Sequence, residues 1–260
     1  MSENTTGNSF DSKSQDMKVY ILDIGYLECD ANMVVSGTVL GTKNDPNPRL
    51  KWIKIPTFSV LVDHPDFRFL YDLGTHPDHI FPDFIPDLFP YYNNENQTLE
   101  SQLALAGYEP DDIPVVILSH LHFDHCGHLH LFDHADCYVH PKELKNNPDI
   151  KIKKPHPISE DTSLFKGVEI ITLPGHTEGV LGLVLHLKNE GTLIFASDAL
   201  YTPENYGPPA RTSGTVADTL SYFKSVEKIR NLEQKYDAKI MYAHYMESFT
   251  TMKKAPDYYD

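Results

Sequence analysis

The segment Ser119-His120-Leu121-His122-Phe123-Asp124-His125-Cys126-Gly127-His128 constrains this chain more than any other, because it packs four imidazoles and a carboxylate into ten residues. It follows the apolar run Pro114-Val115-Val116-Ile117-Leu118, which reads as a buried strand. His120 and His122 therefore lie just past a strand end. Side chains two apart on an extended segment point the same way, so this pair can grip one ion while Leu121 turns away. Asp124 and His125 are adjacent, and a helix starting there would project both towards a second ion beside the first. One or two such histidines would read as a hydrogen-bonded surface. Four ligands in the order H-x-H-x-D-H reverse that preference.

Composition limits what the rest can be. At 260 residues and 40% hydrophobic content the chain supports one substantial core, so residues 17–260 are expected to form a single domain. Residues 1–16 are rich in Ser, Asn, Thr and Asp and are expected to be a disordered tail, with neither the basic start nor the apolar stretch of a signal peptide. A net charge of -15 disfavours nucleic acid and anionic membranes as partners. No stretch reaches the roughly 18–20 apolar residues of a membrane span. The three cysteines, Cys29, Cys126 and Cys137, lack zinc-finger spacing and suit a reducing cytoplasm better than a disulfide framework. Cys126 reads as a small residue packed under the histidine loop rather than as a ligand or nucleophile.

Further strands each deliver a polar residue at their exit. Lys18 to Leu22 reads as a first strand, and Thr57 to Val62 with Phe67 to Tyr71 as a hairpin that ends on Asp72, a candidate either to support a ligand or to cap a turn. Residues 30–56 read as a long irregular stretch, and the proline- and aromatic-rich segment 75–96 as a packed loop. Leu99 to Ala106 has helical periodicity. After the histidine motif come strands at Ala135–Val139, Val168–Thr172, Val180–Leu187 and Thr192–Ala196, then a helix at Val216–Lys235 and a last strand at Lys239–Ala243. His176 follows one of these strands between Pro174-Gly175 and Gly179, Asp198 follows another, and His244 the last. Strand-helix alternation of this kind points to an α/β sheet.

The five strand-exit histidines and two aspartates match the needs of a paired metal centre. Two adjacent catalytic ions take about six or seven protein ligands, including one shared carboxylate, and keep a position for water. His120, His122 and His176 would hold the first ion and Asp124, His125 and His244 the second. Asp198 would bridge them at a separation of roughly 3.5–4 Å. A water between two such cations loses a proton near neutral pH and becomes a nucleophile.

The order H-x-H-x-D-H, then Gly175-His176, then Ser197-Asp198, then His244 resembles the metallo-β-lactamase superfamily over nearly the whole chain. The runs Ala196 to Thr202, Glu204 to Pro209 and Lys253 to Tyr259 look like the N-acyl homoserine lactonases in particular. The resemblance implies a four-layer αβ/βα sandwich with a dimetal site at one edge, loaded with zinc, iron, cobalt or manganese, zinc first among them. It implies hydrolysis of the lactone ring of acyl homoserine lactones by a bridging hydroxide, which quenches quorum signalling. Tyr201 would assist at the lactone carbonyl and Asp124 would pass a proton to the leaving oxygen. Met33, Trp52, Leu121, Phe84 and Phe89 are candidates for an acyl-chain groove. The family usually has Asp after the last histidine, where this chain has Tyr245. Pyridoxolactonases share the ligand order. A glyoxalase-II-like thioesterase would need a further domain for which little chain is left after His244. A metal-stabilised signal-binding protein is the reading outside enzymes, and a homodimer is left open.

Overall fold

The computed structural model describes residues 16–79 and 82–260, so the tail expected over residues 1–16 falls, up to residue 15, outside the described residues. The first sheet contains β1 (Lys18–Asp30), β2 (Trp52–Asp63), β3 (Arg68–Tyr71), β4 (Tyr91–Tyr92), β5 (Val115–Ile117), β6 (Asp136–Val139) and β7 (Pro155–Pro157), in the order β4-β1-β2-β3-β5-β6-β7. The second contains β8 (Thr162–Phe165), β9 (Val168–Thr172), β10 (Leu181–His186), β11 (Thr192–Phe195) and β12 (Lys239–Met241), in the order β12-β11-β10-β9-β8.

Alternation along the strands fixes the layers. On β1, Val19 and Ile21 enter a core shared with Leu181, Leu183 and Leu185 of β10, so the two sheets pack face to face. Tyr20, Leu22 and Ile24 face the other way, onto Leu99 and Leu103 of the helix Leu99–Leu105. Val184 and Ile194 of the second sheet likewise turn outwards onto Tyr222, Val226 and Ile229 of the helix Thr219–Tyr236. Helix, sheet, sheet, helix is the four-layer sandwich expected. Because the side-chain period is two, a one-residue slip of β1 would exchange the two cores, so both faces hold its register.

Several boundaries differ from those expected. β1 runs on from Leu22 to Asp30 through an irregularity between Asp23 and Tyr26. There Gly25 has φ +97°, and a Cβ on it would lie 2.4 Å from the Tyr92 carbonyl oxygen, so only glycine passes. The bulge breaks the alternation that would have revealed the strand. β2 starts at Trp52, inside the stretch read as irregular, and carries Pro56 opposite Tyr26, where the bulged register resumes. The long helix begins at Thr219, capped by Asp218, which accepts from the Leu220 and Ser221 amides. The preceding residues instead bind the His176 loop, Ala217 N–H donating to His176 O at 3.1 Å and Asp218 N–H to Gly175 O at 3.0 Å. Among the described residues, no helix is long and apolar enough to cross a membrane.

Candidate metal centre

Strand direction gathers the predicted residues at one edge. β3 and β5 are parallel in the first sheet. In the second, β9 and β11 are both antiparallel to β10, and β12 is parallel to β11, so these three exit on one side. The Leu181 amide, donating to Ser119 O at 2.8 Å, ties the two sheets together there. Asp72, His120, His122, His176, Asp198 and His244 all follow these exits. The helix Phe123–Cys126 adds Asp124 and His125.

All seven expected ligands meet, in two groups. Ligand atoms of His120, His122, His176 and Asp198 lie within 4.8 Å of one another, and so do those of Asp124, His125 and His244. His122 Nδ1 is 3.0 Å from His120 Nε2 and 2.9 Å from His176 Nε2. Asp198 Oδ2 faces the first group, 3.6 Å from His120 Nε2 and 3.2 Å from His176 Nε2. Its Oδ1 faces the second, 3.1 Å from His125 Nε2 and 3.2 Å from His244 Nε2. Asp124 Oδ2 closes that group at 3.6 Å from His125 Nε2 and 3.5 Å from His244 Nε2.

Hydrogen bonds on the far side of each ring decide which nitrogen is bare. The Thr215 and Pro56 carbonyls can only accept, so His176 and His244 donate Nδ1–H to them, at 2.8 and 3.0 Å. His125 donates Nδ1–H to Asp72 Oδ2 at 2.8 Å. The Ser119 hydroxyl donates to that same oxygen and receives the Ser197 hydroxyl, which leaves it to accept from His120 Nδ1–H at 3.0 Å. Hence His120, His125, His176 and His244 all carry a proton on Nδ1 and turn Nε2 to the centre. Backing of this kind orients and polarises metal-bound imidazoles. Burial lowers His120 and His176, whereas the carboxylates of Asp198 and Asp124 overcome burial and raise His125 and His244, so at those two a cation would take the place of a proton on Nε2.

The centre fits cations. His125 Nε2 and Asp198 Oδ1 are buried without a hydrogen-bond partner among the described residues, which is costly unless something positive sits between them. Burial acts to raise the Asp198 carboxyl, yet positive charge on the rings around it, that of His125 and His244 before His176 and His120, overcomes burial and holds the group well below its ordinary value. Burial, countered in part by Asp198, lowers His176 to about 4, so its lone pair is free at neutral pH. Nitrogen and carboxylate donors in this number are those of divalent ions. The loops are strained to build it. Asp72 and Ser197, neither of them glycine, take φ of 56° and 47°.

With that geometry in place, residues 53–244 also match the family model described as metallo-beta-lactamase superfamily. The chain belongs to that superfamily. It is 30% identical to the N-acyl homoserine lactonase AiiB of Agrobacterium fabrum, over 92% of this chain and 98% of that one. It is 29% identical to the AiiB of Rhizobium rhizogenes over the same shares. A solved structure of an N-acyl homoserine lactone hydrolase, with the product N-hexanoyl-L-homoserine at its catalytic metal centre, shares the fold with a TM-score of 0.80. The identity is 23%, over 93% of this chain and 98% of that chain.

Within the superfamily frame, this chain supplies supports that the sequence did not single out. Glu143, nearly fully buried, accepts from Leu121 N–H at 3.1 Å, Gly179 N–H at 3.1 Å and Thr177 Oγ1–H at 2.7 Å. It thereby locks the His120–His122 loop to the His176 loop. Its only sequence signal is its place in a helical turn after β6. Glu143→Ala should lower thermal stability, each buried donor left unpaired costing about 1–3 kcal/mol, and weaken metal retention. Unfolding and metal content measured together check this. A variant as stable and as metal-rich as the parent would remove Glu143 from the account.

Of its two expected roles Asp72 takes the supporting one, accepting from His125 Nδ1–H and from the Ser119 amide and hydroxyl. Tyr245 does not take over the role of an aspartate. Its hydroxyl turns to Glu247, while His244 is oriented by the Pro56 carbonyl. Cys126 joins the core cluster of Leu118, Leu121 and Phe132. Burial pushes its thiol up, and those of Cys29 and Cys137 up to about 12. Iodoacetamide at about pH 8 should therefore leave all three unmodified in the folded protein and label them after denaturation. Rapid native labelling of Cys126 would reopen its case as a reactive group.

Proposed function

We propose that this chain is a two-metal hydrolase that opens the lactone ring of N-acyl homoserine lactones to the N-acyl homoserine, and so quenches quorum signals. The observation that carries the proposal is Asp198, whose two oxygens each face the Nε2 atoms of a separate set of imidazoles. The names of the AiiB relatives supply the substrate class. A pair of divalent ions, zinc first among the candidates, would supply a water nucleophile near neutral pH and polarise the carbonyl.

The chain's own residues do the rest. His120, His122 and His176 would hold one ion, Asp124, His125 and His244 the other, and Asp198 would contribute to both. Asp124, slightly open to solvent, takes up the proton lost by the water whose oxygen bonds the carbonyl carbon, and delivers it to the ring oxygen as the ring C–O bond breaks. The Tyr201 phenol, beside Asp198, donates to the lactone carbonyl. An apolar wall of Leu27, Val34, Val35, Ile55 and Phe123 surrounds Tyr201, with Met33 and Phe89 against it, and excludes water from the acyl side. A cavity of about 250 Å³ lined by Val34, Val35, Ile53 and Arg211 leads to His244. Leu121 does not join this groove, being buried in the outer core, while Trp52 and Phe84 remain 51% and 59% exposed. Three buried free thiols fit a reducing cytoplasm.

A pH-stat panel tests the proposal, with short- and long-chain acyl homoserine lactones set against 4-pyridoxolactone and lactoylglutathione on metal-loaded protein. Acid release should be fastest with the acyl homoserine lactones. Preferred turnover of either competitor would replace the substrate class. Tight binding of an acyl homoserine lactone without acid release would make the chain a receptor.

A further inference from the structure

Away from the centre, His76, His79 and His130 make another convergence of imidazoles. Ring centroids lie 4.6 Å apart for His76 and His79, 4.5 Å for His79 and His130, and 5.0 Å for His76 and His130. One nitrogen of each lies within 4.8 Å of the other two. Nitrogens bound at about 2.0–2.1 Å to a common tetrahedral ion sit roughly 3–4 Å apart, a contraction that the exposed His130 side chain can supply. His79 donates Nδ1–H to the Gly127 carbonyl at 2.9 Å, which leaves its Nε2 bare in the arrangement that backs metal-bound histidines. Asp78 N–H donates to His76 Nδ1 at 3.2 Å, a long bond that ligation through either nitrogen would replace, and the exposed Asp78 amide can turn to water instead. Burial and then the neighbouring imidazoles hold His76 and His130 below their ordinary value, so both rings are neutral at physiological pH. His128, donating its Nδ1–H to Leu73 O at 2.8 Å, walls the cluster edge-on to His76.

The cluster joins two loops of consequence. His76 and His79 follow Asp72 on the segment leaving β3, and His130 follows His125 on the segment leaving the histidine motif. These segments already touch, with Leu73 N–H donating to His125 O at 2.8 Å and Gly127 N–H to Gly74 O at 2.9 Å. A Cβ on Gly127 would lie 2.4 Å from His76 N, so the two backbones are in direct contact. We propose that His76, His79 and His130 bind an additional zinc-like divalent ion, solvent completing its coordination, which clamps these two loops together from outside the catalytic centre. None of the three is among the residues assigned to the catalytic ions or to substrate, so the ion acts on stability.

Zinc titration of the holoenzyme and of a triple variant (His76→Ala, His79→Ala, His130→Ala) tests this. The parent should retain about one zinc more per chain than the variant and gain a zinc-dependent rise in Tm that the variant lacks, while lactone turnover is equal in both. Equal zinc content, or the same Tm rise in both, would overturn the proposal. Should the variant not fold, zinc-edge anomalous diffraction from parent crystals decides the question. A peak among the three rings upholds the site and its absence overturns it, whatever the catalytic centre holds.

Discussion

Asp198→Asn should reduce kcat/KM for lactone hydrolysis on the order of 10³-fold or more and strip metal from the protein. Metal polarisation is worth several kcal/mol of transition-state stabilisation, and each ~1.4 kcal/mol is tenfold in rate. The substitution keeps the shape of the side chain and removes its charge. One oxygen becomes an NH₂, which must face the Nε2 atoms of either His120 and His176 or His125 and His244. Either way both groups lose the shared negative charge, and one of them also loses an oxygen donor. Four imidazoles hold that carboxyl well below its ordinary value against burial, so the ionised form is the one this centre is built around. Metal analysis by mass spectrometry beside steady-state kinetics checks the expectation. A variant that retains about two ions and turns over within a few fold of the parent would show that Asp198 does not bridge.

The parts of this centre that were legible in the sequence are those whose geometry is local. His120 and His122 are set by the two-residue period past β5, and Asp124 and His125 by the helix that starts at Phe123. His176, Asp198 and His244 were legible because each follows an apolar run, and parallel or twice-antiparallel pairing then brings those exits together. Support from afar was not legible. Nothing near Glu143 in the chain shows that its carboxylate will collect donors from residues 121, 177 and 179, nor near Pro56 that its carbonyl will orient His244, 188 residues on. Boundaries failed for a related reason. The bulge at Gly25 exists because Tyr92 passes close by, a contact between distant segments that leaves only a broken alternation in β1 itself.

Tyr201→Phe should lower kcat by about 10²-fold while leaving metal content unchanged, the loss typical of a single preorganised donor at a developing oxyanion. Tyr201 lies between the two metal groups, its ring centroid 5.7 Å from that of His176 and 4.6 Å from that of His244. Burial, with the charges of Asp198 and Asp124 behind it, pushes the phenol well above its ordinary value. It therefore keeps its proton throughout the working range and can donate, whereas service as a base would require the ionised form that this site disfavours. The apolar neighbours Leu27, Val34 and Phe123 hold the ring in place, so phenylalanine should occupy the same space without a cavity. The consequence separates two roles that the fold alone allows. A donor lost only in the transition state lowers kcat with KM little changed, while a wall residue changes KM if it changes anything. Unaltered kcat with a shifted KM would make Tyr201 a lining residue and leave the carbonyl to the metal ions alone.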